Sequence, residues 1–119
     1  GYTPRLLYVE DDTDLVRVVS ALLDGVAEVV AAPTLKNARQ HIESERLDLV
    51  VVDVDLPDGS GLDLLALLGD GGPSTTPAMI FSADQVDASI TAKVEAALVK
   101  SKTSNSELVK TIKTLITKK

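Results

Sequence analysis

Four short apolar runs in this sequence each end in a residue equipped for ionic or phosphoryl chemistry. The run at 6–9 ends in Glu10-Asp11-Asp12, that at 49–52 in Asp53, that at 78–81 in Ser82, and that at 97–99 in Lys100. If the runs are neighbouring parallel strands, these side chains meet at one edge of a sheet, beyond the strands' carboxyl ends, where ligands bind in open α/β sheets. Carboxylates crowded together repel one another unless a cation sits among them. Hard oxygen donors with room for water suit Mg2+, which holds its ligands at roughly 2.1 Å in an octahedron. A divalent ion with a lysine and a hydroxyl nearby is equipment for a phosphoryl group. An aspartate there can act as nucleophile and form an aspartyl phosphate. Asp53 is the candidate, and the Asp55-Leu56-Pro57-Asp58-Gly59 stretch after it can offer the main-chain carbonyl of Asp55 as a further ligand.

Each residue also has an ordinary alternative. Asp11 or Asp12 can cap the helix that follows, and Ser82 or Asp84 the fourth helix. Lys102 rivals Lys100, and Pro57-Asp58-Gly59 is a plain turn signal. Singly, only Asp53 stands out; four polar strand ends in one parallel sheet make coincidence a poor account. His41, the only histidine, falls in a helical stretch away from that edge and is expected at the surface. Gly59-Ser60-Gly61 is not completed to the dinucleotide-binding glycine pattern, and there is no Walker lysine motif.

The elements that must position these groups follow from hydrophobic period. The four runs, with a weaker fifth at 28–31, are short and unalternating, as parallel strands covered on both faces should be. Between them lie helical patterns. Leu15, Val18, Val19, Leu22 and Leu23 predict one apolar face; Leu35, Ala38 and Ile42 predict another. Leu62, Leu64, Leu65 and Leu68 predict a helix apolar nearly all round, hence well buried. A weaker helix is expected over 86–96. Leu108, Ile112, Leu115 and Ile116 mark a strong last one, preceded by a Ser104–Glu107 capping box. Five strand–helix alternations imply a parallel α/β sheet with right-handed crossovers and helices on both faces. The stretch at 71–77 reads as a loop, and residues 1–119 as one domain.

Composition agrees. The 119 residues are 45% hydrophobic, suited to one core, with no cysteine for disulfides, zinc thiolates or thiol catalysis. Net charge is −6, unevenly spread: residues 1–92 hold 16 acids and 5 bases, residues 93–119 two acids and seven bases. The acidic bulk argues against direct nucleic-acid binding. The basic end reads as the solvated face of a last helix, or as a docking surface for an acidic partner. No apolar run approaches the roughly 20 residues that span a bilayer, and no signal-peptide pattern opens the sequence. No membrane association is expected.

Over essentially its whole length the sequence resembles the receiver domains of two-component response regulators. The resemblance rests on LLYVEDD with Glu10 and Asp11, on VVVDVDLPDGSG with Asp53, Pro57 and Gly61, on MIFSA with Ser82 and Ala83, and on LVKS with Lys100. It implies a flavodoxin-like five-stranded parallel sheet of order 2-1-3-4-5, the arrangement known from other receivers. It implies that Asp53 takes a phosphoryl group from a phosphohistidine on a histidine kinase or histidine phosphotransfer protein. Glu10, Asp11, Asp53 and the carbonyl of Asp55 would hold Mg2+, while Ser82 and Lys100 would contact the phosphoryl oxygens. The expected product is a cytoplasmic, self-phosphorylating and self-dephosphorylating signalling domain rather than a turnover enzyme. In a full-length protein an effector domain or a hybrid histidine kinase can accompany it.

Four features depart from the family pattern. Ser82 stands where threonine is commoner, Ser101 where proline is usual after the lysine, and Ala97 where an aromatic is usual. The segment between Ser82 and Lys100 also looks about four residues short. Two other readings are open to the sequence. A haloacid-dehalogenase-like phosphatase also uses an Asp-x-Asp strand end, matched by Asp53-Val54-Asp55, but follows it with Gly-Thr and brings its other acids late. A receiver that docks a partner without being phosphorylated would not need the intact acid set.

Overall fold

The computed structural model describes residues 3–69 and 75–117. Five strands, β1 (Arg5–Val9), β2 (Glu28–Ala32), β3 (Leu49–Val52), β4 (Ala78–Ser82) and β5 (Ala96–Val99), form one sheet of order β2-β1-β3-β4-β5 with every pairing parallel. This is the expected 2-1-3-4-5 flavodoxin-like α/β sheet. Side chains alternate across a strand, so each central strand feeds two cores. Leu6, Tyr8, Val51 and Phe81 face helices α1 (Thr13–Leu22) and α4 (Asn105–Ile116), through Val19, Leu23, Leu108 and Ile112. Leu7, Val9, Val50 and Val52 face the other way, onto Leu35 and Ala38 of α2 (Leu35–Ser44) and onto Leu64 and Leu68. Burial on both faces explains why these strands read as continuous apolar runs.

Helix ends follow local chemistry. Asp12 caps α1, its carboxylate accepting from the amides of Asp14 and Leu15. Ser104 and Glu107 form the reciprocal capping box of α4. Neither Ser82 nor Asp84 caps a helix; the residue at that position before α3 (Ala88–Thr91) is Asp87.

Three helical expectations are corrected. The leucine-rich stretch is a 3-10 helix, Gly61–Leu67, and is not buried all round: Leu64 is inside while Leu67 is 44% exposed. At three residues per turn it shows the core a narrower face than an α-helix of the same leucines. The helix expected over 86–96 is one turn, Ala88–Thr91, with no buried residue, and Ala96 already belongs to β5. Helices draw most of their stability from packing an amphipathic face, and this segment has little to pack. On α1 the inward line runs through Val19 and Leu23, leaving Val18 and Leu22 43% and 47% exposed. The loop expected at 71–77 lies partly outside the described residues. Among the described residues no helix is long and apolar enough to cross a membrane.

Candidate functional site

The strand register brings the expected side chains together. Val9 pairs with Val52, so Glu10 and Asp53 leave adjacent strand ends; the Asp53 amide donates to the Val9 carbonyl at 2.9 Å. Ser82 pairs with Val99, which puts Lys100 one residue past that rung. Glu10, Asp11 and Asp53 each present a carboxylate oxygen within 4.8 Å of the others. Glu10 is 1% exposed and Asp53 5% exposed, while Asp11 sits at the open rim. Ser82 is buried at the end of β4.

Lys100 reaches into this cluster. Its Nζ lies 2.6 Å from Glu10 Oε1 and 3.2 Å from Asp53 Oδ2, and 6.0 Å from the centre of the Phe81 ring. Only the Asp53 contact has hydrogen-bond geometry. Glu10 Oε1 is buried without a hydrogen bond, so its short contact with Lys100 is Coulombic pairing with poor angular alignment. Lys102, the rival, is exposed.

The electrostatics follow from burial and crowding. Glu10 is pushed from 4.5 to about 7, mainly because burial disfavours its charge; the Lys100 contact opposes this and Asp53 reinforces it. Burial pulls Lys100 down, but Glu10 and Asp53 outweigh it, and the ammonium is held above its ordinary value. Tyr8, fully buried, is raised first by burial and then by the charges of Glu10, Asp53 and Asp12, so its phenol stays neutral.

The loop after Asp53 is fixed at its base. The Gly61 amide donates to the Val54 carbonyl at 2.8 Å, and a Cβ on Gly61 would lie 2.0 Å from the Asp53 carbonyl oxygen. Only glycine allows that approach. Between these points the chain forms a small antiparallel hairpin in which Asp55 pairs with Ser60 and Leu56 with Gly59. Asp55 itself has an exposed side chain, which suits a role for its main chain. The donor set fits a hard divalent cation: three carboxylates on one spot, two of them buried, one with an oxygen that lacks a hydrogen bond.

His41 lies away from this edge, as expected, but it is half-buried and paired with Glu45 rather than simply at the surface. Glu45 also pairs with Arg5, which pairs with Glu28, at the opposite end of the strands. One residue of the site loop was not foreseen. Asp58, expected only to shape a turn, accepts from the amides of Leu35 and Lys36 at 2.8 and 3.2 Å. Nothing local in the sequence signals a partner 23 residues away.

A parallel sheet of this order, with a carboxylate cluster and a lysine at its carboxyl edge, defines a receiver-type phosphorylation domain. The sequence pattern of the response regulator receiver domain matches residues 6–113, and the chain belongs to that family. It is 34% identical to response regulator protein PilR of Pseudomonas aeruginosa over 89 residues, 74% of this chain and 20% of PilR. It is 36% identical to transcriptional regulatory protein BasR of Escherichia coli over 81 residues, 66% of this chain and 36% of BasR. The chain thus spans about a third or less of these relatives. Among solved structures, a CheY-like receiver domain protein from Methanospirillum hungatei superposes with a TM-score of 0.84 at 24% identity, covering 98% of this chain and 96% of that one. A putative response regulator from Chloroflexus aurantiacus gives 0.77 at 27% identity, covering 98% and 99%. The domain therefore serves phosphorylation-based, two-component signalling.

Proposed function

We propose that Asp53 is the phosphoacceptor of this receiver domain, charged by a phosphohistidine on a histidine kinase or histidine phosphotransfer protein. The observation that carries the reading is the placement of Asp53: a nearly buried carboxylate, within 4.8 Å of Glu10 and Asp11 and hydrogen-bonded to Lys100. A carboxylate oxygen of Asp53 attacks phosphorus, an acyl–phosphate bond forms, and the P–N bond breaks. The leaving imidazole nitrogen keeps the electron pair and takes up a proton. Lys100 pairs with the oxygens that gain charge, and Ser82, buried at the adjacent strand end, offers a hydroxyl to the incoming phosphoryl group.

Glu10, Asp11, Asp53 and the carbonyl of Asp55 would hold Mg2+, which when bound neutralises charge on the transferring group. The exposed pair Val18 and Leu22 on α1 gives a donor protein an apolar foothold on the helix that starts beside the site. The reading carries with it a cytoplasmic setting, and an effector domain or kinase elsewhere in the full-length protein reads the state of Asp53. No observation favours the haloacid-dehalogenase-like phosphatase.

Intact-mass measurement after incubation with an acyl phosphate and Mg2+ should show one added phosphoryl group, absent from Asp53→Asn. Label that persists in Asp53→Asn, or forms equally in excess chelator, overturns the assignment.

A further inference from the structure

The hairpin that carries Asp55 is too short to hold itself. It has two rungs, Asp55 with Ser60 and Leu56 with Gly59, whereas even a longer isolated hairpin is marginal in water. Gly61 fixes its base. Its tip rests on the start of α2. Asp58 Oδ1 accepts from the Leu35 amide at 2.8 Å and Oδ2 from the Lys36 amide at 3.2 Å. Beside it Gly59, at a φ of +144°, lies so close that a Cβ there would come within 2.7 Å of Leu35 Cδ1.

The amides of the first turn of α2 are then accounted for. A helix leaves its first amides without internal partners. Here Asp58 takes those of Leu35 and Lys36, and the Thr34 hydroxyl takes that of Asn37; the helix's own bonding begins with the Ala38 amide, which donates to the Thr34 carbonyl. The cap is therefore divided between a residue of the helix's own entry and a residue from the phosphoacceptor loop. The amide of Leu35, then that of Lys36, hold the Asp58 carboxyl below its ordinary range, so the acceptor is ionised throughout neutral pH. Leu35 is itself buried in the core, with Leu56 of the hairpin packed against the same cluster, so the anchor is seated on the core.

We infer that Asp58 is a positioning residue: by fastening the hairpin tip to the start of α2 it sets the main-chain carbonyl of Asp55 for the cation at the Glu10–Asp11–Asp53 cluster. This rests on the metal reading above. Without the anchor the base of the loop stays tied by Gly61, but the hairpin is free to pivot about it.

The test is a Mg2+ titration followed by amide chemical shifts, with thermal unfolding alongside, on wild type, Asp58→Ala, Asp58→Asn and Thr34→Ala. Groups that orient metal ligands from behind are typically worth tenfold or more in affinity, so Asp58→Ala should weaken Mg2+ binding about tenfold. Asp58→Asn keeps one acceptor oxygen and should fall between. Thr34→Ala uncaps the same helix end without touching the hairpin. It should lower the melting temperature while leaving Mg2+ affinity within about twofold of wild type, a split that a purely structural role for Asp58 would not produce. If wild type saturates with Mg2+ and Asp58→Ala matches it, or Thr34→Ala weakens binding as much, the inference is overturned. If wild type shows no saturable shift, the metal reading falls and takes the inference with it.

Discussion

Glu10 makes the metal-free domain lose stability as pH rises through neutrality. Its carboxyl is raised from 4.5 to about 7, chiefly by burial, and it is 1% exposed. The folded state therefore holds a proton that the unfolded chain has already released. Its contribution is fully present below about pH 4.5 and is lost as pH rises through 7. At 1.36 kcal/mol per unit, the difference between the two values amounts to about 3 kcal/mol. About 2.5 kcal/mol of this falls between pH 5 and 8, so with a urea m-value of roughly 2 kcal/mol/M the unfolding midpoint should drop by about 1.2 M over that window in EDTA. Glu45, Asp58 and Glu107 are all lowered instead, so their contributions are lost on acidification, below this window. A bound divalent cation favours the ionised form of Glu10, so saturating Mg2+ should flatten the profile. Glu10→Gln, which has no proton to lose, should be flat with or without the ion. A midpoint that is constant or rises from pH 5 to 8 in EDTA, or a Glu10→Gln profile as steep as wild type, would refute the reasoning.

Gly61→Ala must push its methyl to 2.0 Å from the Asp53 carbonyl oxygen; backbone cannot yield there as a side chain can, and a loss of about 3 kcal/mol is expected by urea unfolding. An unchanged midpoint would mean the loop has room to shift. Asp55 and Asp84 are exposed beyond the ends of β3 and β4, adding negative charge that an anionic phosphodonor must meet. Each Asn substitution should speed labelling by acetyl phosphate about twofold at low salt, an advantage that 0.5 M salt removes; equal rates at low salt would show the charges are not felt. Ala97 lies partly buried in edge strand β5, and cannot supply the roughly 1.5–3 kcal/mol gained when a Phe-sized aromatic is buried. Beryllofluoride should therefore shift amides around Asp53 far more than those along Ala96–Val99 and 108–116; comparable shifts in all three would defeat this.

What the sequence made legible, and what it hid, divides along range. The central strands announced themselves because burial on both faces demands unbroken apolar runs, and a run must stop where the chain meets the site. That is why Glu10, Asp53 and Ser82 could be placed at one sheet edge from their position alone. The last helix was equally plain, its Ser104 and Glu107 being three residues apart and capping each other. The segment over 86–96 failed because Val86, Ile90 and Val94 keep a helical spacing yet have too little core to cover, and spacing without burial does not hold a helix. Val18 and Leu22 misled for the reverse reason: apolar type was read as inward direction, although the line to the core passes through Val19 and Leu23.

Lys100 and Lys102 show the limit most sharply. They lie two apart, so if the strand continued they would point to the same face, and residue type cannot separate them. The chain separates them by leaving the strand. Val99 is the last residue paired with β4, at Ser82, and Lys100–Lys102 turns as a 3-10 helix. The first lysine is thereby held over Phe81 and between Glu10 and Asp53, and the turn carries the second to solvent. Asp58 belongs to the same class: its type and its turn were visible, but its partners sit at the start of a helix 23 residues earlier. Both assignments depend on where one backbone ends relative to another. Such placement is a property of the packed sheet, with no signature in the residues beside it.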